Sequence, residues 1–183
     1  MDREKVDSFR YIKETNKLMR GNGLLLVSGR FGDNRQAFKP NAMAIGWGLL
    51  GTMWRRPFFV VAVRHSRHTF KLMEESGAYT VCLPSKGMRK ALDVCGTKSG
   101  RDVDKFKELK LTARKGLDVD APYIEECPVH YECVVRYQND LKPGLLAKQI
   151  EDDVYSTKDM HMIYYGEVIG AYAVEDAARK LPR

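Results

Sequence analysis

The sequence predicts a mainly β protein, an antiparallel barrel with short helices inserted between its strands. Predicted strands outnumber predicted helices and recur at intervals of about 8 to 14 residues, which is typical of short antiparallel strands joined by turns. The regular alternation of strand and helix that builds a parallel sheet is absent. At 183 residues the chain has the size of one domain, so we expect a single domain over residues 1–183.

Six segments have the composition of strands. They are short, rich in β-branched and aromatic residues, and bounded by glycine, asparagine or proline. The fifth of them, PVHYECVVRY, alternates apolar and polar residues, as a half-buried strand does. In chain order the predicted strands are 23–31, 41–48, 57–64, 78–84, 128–137 and 161–174.

Helical stretches are predicted between these strands and before the first of them. The clearest is HSRHTFKLMEESG, where Ser66 can act as the N-cap and Gly77 ends the helix. Phe70, Leu72 and Met73 give it an apolar side. The predicted helices are 2–19, 65–77, 87–95, 101–109 and 146–155.

Composition excludes several classes of protein. The chain is 44% hydrophobic and 30% charged and has no low-complexity tract, so we expect an ordered chain. Its longest uncharged stretch, 40–54, is shorter than the roughly 20 residues that a membrane helix needs. The N-terminal MDREKVDSFR has no apolar core of a secretion signal. We therefore expect a cytoplasmic protein without a membrane partner.

No metal site is expected from the cysteines and histidines. His65 and His68 are three residues apart, but the pattern supplies no further ligands, so they are interpreted as surface or packing residues. The cysteines have no CxxC spacing and are interpreted as reduced, mostly buried thiols. They are Cys82, Cys95, Cys127 and Cys133.

The net charge of +7 at pH 7 raises the question of a nucleic-acid partner. The positive residues are scattered along the chain and interleaved with acidic ones, as in RDVDKFKELK. No basic arm, helix-turn-helix pattern or pair of RNA-stacking aromatics stands out. Surface solvation and local binding of anions explain the charge at least as well, so we expect no nucleic-acid partner.

The octapeptide VRHSRHTF, residues 63–70, has the features of an anion site. Arg64 ends a predicted strand, and Ser66 to Thr69 lie at the first turn of the following helix, whose free N–H groups and dipole favour an anion. Arg64 or Arg67 adds a bidentate charge, and the two hydroxyls add directional donors. This set can hold a phosphate monoester. An ordinary capped helix with solvated arginines is the alternative.

Two further segments bear on this site. NAMAIGWG, residues 41–48, alternates small residues and exposes backbone, which lets a flat ring lie against a strand. The alternative is a tightly packed barrel strand. CGTKSGRDVDKF, residues 95–106, is a loop with two glycines and a lysine that opens into a helix, with Asp102 near its start. Its alternative is a surface turn with a good helix cap.

Taken together and in this order, the segments resemble the flavin reductase-like family of FMN-binding split barrels, which includes flavoredoxins and the reductase components of two-component monooxygenases. The resemblance runs from about Gly23 to Gly170, the expected core, and its most specific parts are R-x-S-R-x-T and CGT-x-SGRDVDKF. It implies a six-stranded antiparallel Greek-key split barrel with short peripheral helices. It also implies a homodimer with the flavin near the subunit interface. The segments are NAMAIGWG, RRP, VRHSRHTF, GAYTVCLP, CGTKSGRDVDKF and HMIYYGEV.

The resemblance implies FMN, in preference to FAD, as the cofactor, and it assigns residues to that cofactor. The phosphate would be held by Arg64, Ser66, Arg67 and Thr69. The isoalloxazine and the ribityl chain would lie, mostly through backbone groups, along Asn41, Ala42, Met43 and Ala44, with Trp47 close by. Ala44 stands where many members have threonine or serine, so a side-chain hydrogen bond to the flavin is expected to be missing.

The later loop and the last strand complete the implied site. Ser99, Gly100 and Lys105 would close the pocket, and Lys105 could meet the phosphate or the pyrimidine side of the ring. His161 matches the position of a histidine often found near the flavin, and a structural role is the alternative. No catalytic side chain is expected, because the cofactor carries the chemistry and the protein supplies position and a positive field.

Two functions remain open from the resemblance. The first is an NAD(P)H-dependent flavin reductase, in which NADH or NADPH passes a hydride to the flavin N5. The second is a flavoredoxin-like carrier that keeps FMN bound and exchanges electrons with a partner, such as an acidic redox protein or a monooxygenase component. The charge of +7 suits an acidic partner, but it suits polyanionic nucleotides equally well.

Overall fold

The strands of this protein form one eight-stranded antiparallel sheet and a small two-stranded one. The structure is a computed structural model and describes residues 2–30 and 38–182. The mainly β class with short helices is therefore confirmed. The strands are β1 Arg3–Val6, β2 Leu24–Arg30, β3 Phe38–Ile45, β4 Gly48–Met53, β5 Arg56–Arg64, β6 Ala78–Leu83, β7 Ala113–Arg114, β8 Tyr123–Ile124, β9 Val129–Asp140 and β10 His161–Val174.

The order of strands in the large sheet is β3-β2-β6-β9-β10-β5-β4, with β1 paired to β10 outside this path. β3 and β4 follow each other in the chain, yet they lie at opposite ends of the path. Within the described residues no ladder joins them, and only Gly46 and Trp47 connect them. The barrel is thus split between β3 and β4. All six predicted strands are present, and the large sheet has two more than the six expected.

In the part of the chain that the structure describes, six short helices lie between and after the strands. None of the helices in the described part of the chain has the length and apolar character needed to cross a membrane. The structure ends the second helix at Gly77, as predicted, with the glycine at φ 63° and its N–H bonded to the Met73 carbonyl at 2.9 Å. The helices are α1 Ile12–Arg20, α2 His68–Ser76, α3 Arg89–Thr97, α4 Lys105–Leu109, α5 Lys148–Val154 and α6 Ala177–Lys180.

Strand β2 is buried on both faces and separates two apolar cores. Leu24 and Leu26 belong to the larger core inside the barrel. Leu25 and Val27, whose side chains point the other way because a strand alternates, pack with Leu92 of α3 in a second core outside it. This second core fixes α3 and the loop after it against β3, which is where the candidate site lies.

The predicted helix over 2–19 is wrong in its first half, where the chain forms β1 and helix α1 begins only at Ile12. Long-range contacts explain the difference. Arg3–Val6 pairs with Ala171–Val174 of β10, and the Arg3 guanidinium donates to the carbonyls of Glu125 and Cys127, both at 2.8 Å. Such tertiary contacts override local helix propensity.

The predicted strand over 41–48 ends at Ile45, and a separate strand, β4, begins at Gly48. A Cβ on Gly48 would lie 2.6 Å from the Val60 carbonyl oxygen and 3.2 Å from Met19 Sδ, so only glycine allows β4 to approach β5 and α1 this closely. Gly46, Gly48 and Gly51 match the spacing GxGxxG. Gly46 precedes β4, and the other two glycines lie within it. Because no helix follows them directly, they do not form a dinucleotide-binding turn.

Candidate functional site

Two adjoining cavities lie along β3 at the split of the barrel. The first cavity has a volume of about 260 Å³ and the second about 200 Å³, and both are lined by Met43, Ala44 and Arg67. The other residues of the first cavity are Asn41, Ser66, His68, Thr69, Cys95, Gly96, Lys98, Ser99, Gly100, Arg101 and Lys105. The other residues of the second cavity are Ile45, Gly46, Trp47, Ala62, Arg64 and His161.

Strand β3 forms the common wall of the two cavities. Asn41 is buried and its Nδ2 donates to Thr69 Oγ1 at 2.8 Å, which ties the strand to helix α2. Ala42 is fully buried and contributes its carbonyl oxygen rather than a cavity surface. Met43 and Ala44 face the cavities. The structure thus brings the four predicted residues of this strand to one place.

The first half of the octapeptide holds the connection between β9 and β10. Arg64 donates to the Asp159 carbonyl at 2.6 Å and to the Val154 carbonyl at 3.1 Å, and Ser66 Oγ donates to Asp159 Oδ2 at 2.6 Å. The prediction that Ser66 caps α2 is wrong. The N-cap residue is Arg67, whose side chain makes no capping hydrogen bond. The Ser66 hydroxyl does not cap the helix because it bonds to Asp159.

The second half of the octapeptide faces the first cavity. Arg67, His68 and Thr69 line that cavity at the start of α2, so the free N–H groups of the first helical turn lie at its wall. His68 was interpreted as a surface or packing residue, and the structure makes it part of the site. Its pKa is lowered by burial and by Arg101. His65 instead lies away from the cavity, 2.8 Å from Asp140 Oδ1.

Lys105 is the most deeply buried charged side chain of the first cavity, at 3% exposed. Its ammonium donates to the carbonyls of Ala42 at 2.8 Å and Cys95 at 3.3 Å. Among the described residues no carboxylate pairs with it. Burial lowers the pKa of Lys105, and nearby Arg67 lowers it further. A buried cation without a counter-charge favours an anion in the adjoining space.

The loop after α3 closes the first cavity with Ser99 and Gly100. A Cβ on Gly100 would overlap Asn41 Oδ1 and lie 2.8 Å from His68 Cδ2, so only glycine lets the loop come this close to β3 and α2. Arg101 ties the loop to the octapeptide by donating to the Ser66 carbonyl at 2.8 Å. The cap of the following helix is Asp104, which accepts from the Lys107 N–H at 3.1 Å, and not Asp102.

Sequence reasoning missed several cavity residues of this loop. It singled out the whole segment 95–106, but not Cys95, Gly96, Lys98 or Arg101 within it. The alternation of basic and small residues there was the available signal. With these side chains, four cations and no carboxylate line the described part of the first cavity, so its potential is positive. The cations are Arg67, Lys98, Arg101 and Lys105.

The rings of Trp47 and His161 border the second cavity, and Tyr155 contacts His161 behind it. The Trp47 and His161 ring centroids are 4.7 Å apart, and His161 Nδ1 is 2.9 Å from the hydroxyl of Tyr155. Burial, with help from Arg64, lowers the pKa of His161 to about 4, so the imidazole is neutral at pH 7. Tyr155 was missed, because nothing in α5 marks it as a site residue.

Metal ligation does not account for this arrangement. Within the described residues no group of three or more His, Cys, Asp and Glu side chains could hold a metal ion. The four cysteines are free and buried, as their composition predicts. The cations of the first cavity suit an anion, and the second cavity beside it, with its aromatic and apolar walls, suits a flat and less polar group.

Three comparisons place this architecture among known proteins. Flavoredoxin from Desulfovibrio vulgaris (Miyazaki F) is similar in structure, with 28% sequence identity, a TM-score of 0.64, and coverage of 88% of this chain and 75% of that one. A split-barrel-domain protein from Shewanella frigidimarina has a TM-score of 0.64 at 16% identity over 91% of this chain and 75% of that one, and so shares the fold.

An uncharacterized protein from Archaeoglobus fulgidus is 30% identical over 131 residues. The match covers 72% of this chain but only 64% of that relative's length. A family model described as "Flavin reductase like domain" matches residues 22–182. The expected core of about 23–170 lies within that range. Because the family model covers most of the chain, this protein belongs to the flavin reductase-like family.

Proposed function

We propose that this protein binds FMN in the two adjoining cavities and acts as an NAD(P)H-dependent flavin reductase. The observation that carries the proposal is the first cavity, where the start of a helix meets four cations, one of which is a buried lysine without a carboxylate partner among the described residues. A phosphate monoester suits that set, since it accepts charge-assisted hydrogen bonds from several directions.

The residues present fit the phosphate of FMN. Arg67 and Thr69 line the first cavity at the start of α2. Because Gly100 has no side chain, the backbone of its loop can lie close to Asn41 and His68. Ser66 completes the proposed phosphate site, and Arg64, which lines the adjoining second cavity, is the further predicted phosphate donor. Both now bond to Asp159 or its carbonyl, so they would reach a phosphate by exchanging those partners. Ser99 adds a hydroxyl from the opposite loop.

The flat ring would extend from the first cavity into the second along β3. Met43 and Ala44 line both cavities, and they offer a ring an apolar thioether and a methyl group. Trp47 and His161 border the far end, and Lys105 supplies positive charge beside the strand. The chain would bind and orient the cofactor and exclude water from one face.

FMN, when bound, would supply the N5 atom that accepts a hydride from NADH or NADPH. We assign no acid or base to the protein. FAD fits less well as a proposal, because the resemblance and the enclosed first cavity of about 260 Å³ both favour a ligand that ends at one phosphate.

A homodimer is part of this proposal. The outer face of β4, β5 and β10 carries an apolar groove of about 480 Å³, and Trp47 and Ala62 line both this groove and the second cavity. Leu49 is 69% exposed there. Exposed apolar surface of this kind is typical of a protein interface, and a second copy on it would lie beside the flavin.

A flavoredoxin-like electron carrier is the alternative function. It is favoured by the 28% identity to the Desulfovibrio flavoredoxin and by the net charge of +7, which suits an acidic redox partner. Anaerobic titration with NADH and NADPH separates the two. Rapid bleaching of bound flavin by either nucleotide supports the reductase. Bleaching by a reduced ferredoxin alone supports the carrier.

The binding proposal itself is tested by removing phosphate donors. Arg67→Ala combined with Thr69→Ala should weaken FMN binding by about 100-fold or more, since each lost charge-assisted hydrogen bond costs about tenfold or more. Arg89→Ala is the matched control, because Arg89 is an exposed cation that pairs with Asp93 on α3. Equal FMN affinity in the double variant and the control would refute the phosphate site.

A further inference from the structure

Tyr155 and His161 form a buried pair at the end of the second cavity. Tyr155 is 4% exposed and His161 is 8% exposed, and the phenol oxygen lies 2.9 Å from the imidazole Nδ1. Tyr155 lies at the C-terminal end of α5, and His161 is the first residue of β10. The two residues thus come from opposite ends of a short connection that Arg64 also holds.

The direction of the hydrogen bond follows from the needs of the phenol. A buried hydroxyl must donate, and in the described part of the chain Nδ1 is the acceptor within reach of Tyr155 Oη. If Nδ1 carried the proton instead, the tyrosine O–H would be left without an acceptor. Burial raises the pKa of Tyr155, so the phenol keeps its proton. Tyr155 therefore donates and Nδ1 accepts.

A neutral imidazole has one N–H, and a ring that accepts at Nδ1 must carry its proton at Nε2. His161 is neutral near pH 7 because burial and Arg64 lower its pKa. The ring lines the second cavity and touches Trp47, so Nε2–H is the group that a ligand there can use. His161 cannot act as a base through that nitrogen.

We propose that Tyr155 is a positioning residue that holds His161 in its Nε2–H form, and that His161 thereby donates a hydrogen bond to an acceptor atom of the ligand in the second cavity. Among the described residues, the other polar side chains of this cavity are Arg64, Arg67 and Trp47, which are also donors only. The side chains of the second cavity therefore favour a carbonyl oxygen or another acceptor atom of the ligand.

The charged groups around His161 support the neutral form. Arg64, Arg67 and His65 all lower the pKa of His161, and only Asp159 raises it. Asp159 is engaged by Ser66 and lies 3.8 Å from Arg64, so its charge is largely compensated. Within the described residues, Asp159 is thus outweighed by burial and by the positive groups around the ring.

The tautomer can be measured directly in the protein without flavin. Long-range ¹H–¹⁵N NMR on ¹⁵N-histidine protein reports the protonation of each ring nitrogen, and the chain has four histidines to assign. Wild type should show His161 Nδ1 as an acceptor and Nε2 as protonated from pH 5.5 to 8. Tyr155→Phe should remove this bias and give a mixture of the two tautomers at pH 7.

Tyr131→Phe is the matched control, because it removes a buried tyrosine hydroxyl that bonds to Thr15 elsewhere in the core. It should leave the His161 signals unchanged. A proton at Nδ1 in wild type would overturn the proposal. So would a Tyr155→Phe spectrum with the wild-type tautomer. Thermal unfolding of each variant confirms that it is folded before its spectrum is compared.

The ligand half of the proposal rests on the proposed binding of FMN. His161→Phe should weaken FMN binding about three- to tenfold, the effect of one hydrogen bond, whereas His161→Gln should restore most of it because its amide N–H can reach the position of Nε2. Equal weakening in both variants would overturn the donor role. If wild type binds no FMN, the proposed function fails while the NMR result on Tyr155 still stands.

Discussion

Two buried charged side chains in this protein, Glu132 and Lys105, differ in how fully their hydrogen-bonding groups are paired. Glu132, on β9, is fully buried and accepts from three successive backbone N–H groups, those of Leu117 at 2.8 Å, Asp118 at 2.6 Å and Val119 at 3.0 Å. His130 adds a fourth partner at 2.9 Å. Although burial alone would raise it, these hydrogen bonds lower the pKa of Glu132.

Lys105 is nearly as buried as Glu132 but has fewer hydrogen-bond partners. Its partners are two neutral carbonyl oxygens, and one side of it opens to the first cavity. Burial lowers its pKa, and among the described residues no carboxylate lies beside it. Glu132 has every partner it needs within the chain, whereas Lys105 has room for one more. We interpret the first as a structural charge and the second as a binding charge.

The largest expected effect is the loss of stability in Glu132→Ala. The variant leaves three N–H groups and His130 without their acceptor in a buried place, so we expect the free energy of unfolding to fall by about 3–5 kcal/mol. Denaturant unfolding of the flavin-free protein measures it. Asp152→Ala removes an exposed partner of Lys148 and should cost less than about 1 kcal/mol. A similar loss in both variants would mean that Glu132 stabilises the fold no more than an exposed carboxylate does.

Lys105→Met should show the reverse profile. Because the buried ammonium lacks a counter-charge, we expect the free energy of unfolding to change by less than about 1 kcal/mol. The dissociation constant of FMN should rise about 10- to 100-fold. Fluorescence quenching of FMN and denaturant unfolding measure the two quantities on the same samples. A strongly destabilised variant with unchanged FMN affinity would make Lys105 a structural charge as well.

Gly100→Ala tests whether flavin binding needs the close contact between the loop after α3 and the other walls of the first cavity. The added methyl group would overlap Asn41 Oδ1 and crowd His68, so the loop must shift outward at a cost of about 1–3 kcal/mol. FMN affinity should fall with it. Gly144→Ala is a control in which the new methyl group meets no described atom within 4 Å, although its φ of 79° strains it locally. Only the first variant should affect flavin binding.

The effect expected to be smallest at neutral pH is a change in pH dependence at His161. The folded pKa of about 4 lies below the unfolded value of about 6.5. The stability from this group is therefore present above pH 6.5 and is lost as the pH falls towards 4. His161→Gln should reduce the slope of unfolding free energy in that window by up to about 1.4 kcal/mol per pH unit. An unchanged slope would mean that His161 does not titrate as the structure indicates.

Six strands of the fold were predictable because each carries its own signal of β-branched residues bounded by turns. The two-residue strands β7 and β8 are too short to carry such a signal, and β1 and β4 were not predicted either. β1 depends on the contacts of Arg3 with residues more than 120 positions away, and β4 depends on the close approach of Gly48 to Val60. Neither contact leaves a local pattern. The lengths of α1 and α4 were overestimated for the same reason.

The first cavity could be predicted from local motifs, whereas Trp47 and His161 of the second cavity were assigned only through the family resemblance, and Tyr155 behind it was missed. The motif segments place Arg67, Thr69 and Gly100 in the first cavity, because a helix start and a glycine loop are visible in sequence. Tyr155 reaches His161 only through the folded connection between β9 and β10. The assignment of these residues to FMN remains a prediction, and the binding measurements above test it.

The division of VRHSRHTF has a consequence for motion. Ser66 holds the connection before β10 through Asp159, while Arg67, the next residue, lines the cavities. A phosphate that takes Ser66 and Arg64 as donors would replace their bonds to Asp159 and Val154. We therefore expect amide hydrogen exchange in residues 154–159 to become faster when FMN binds.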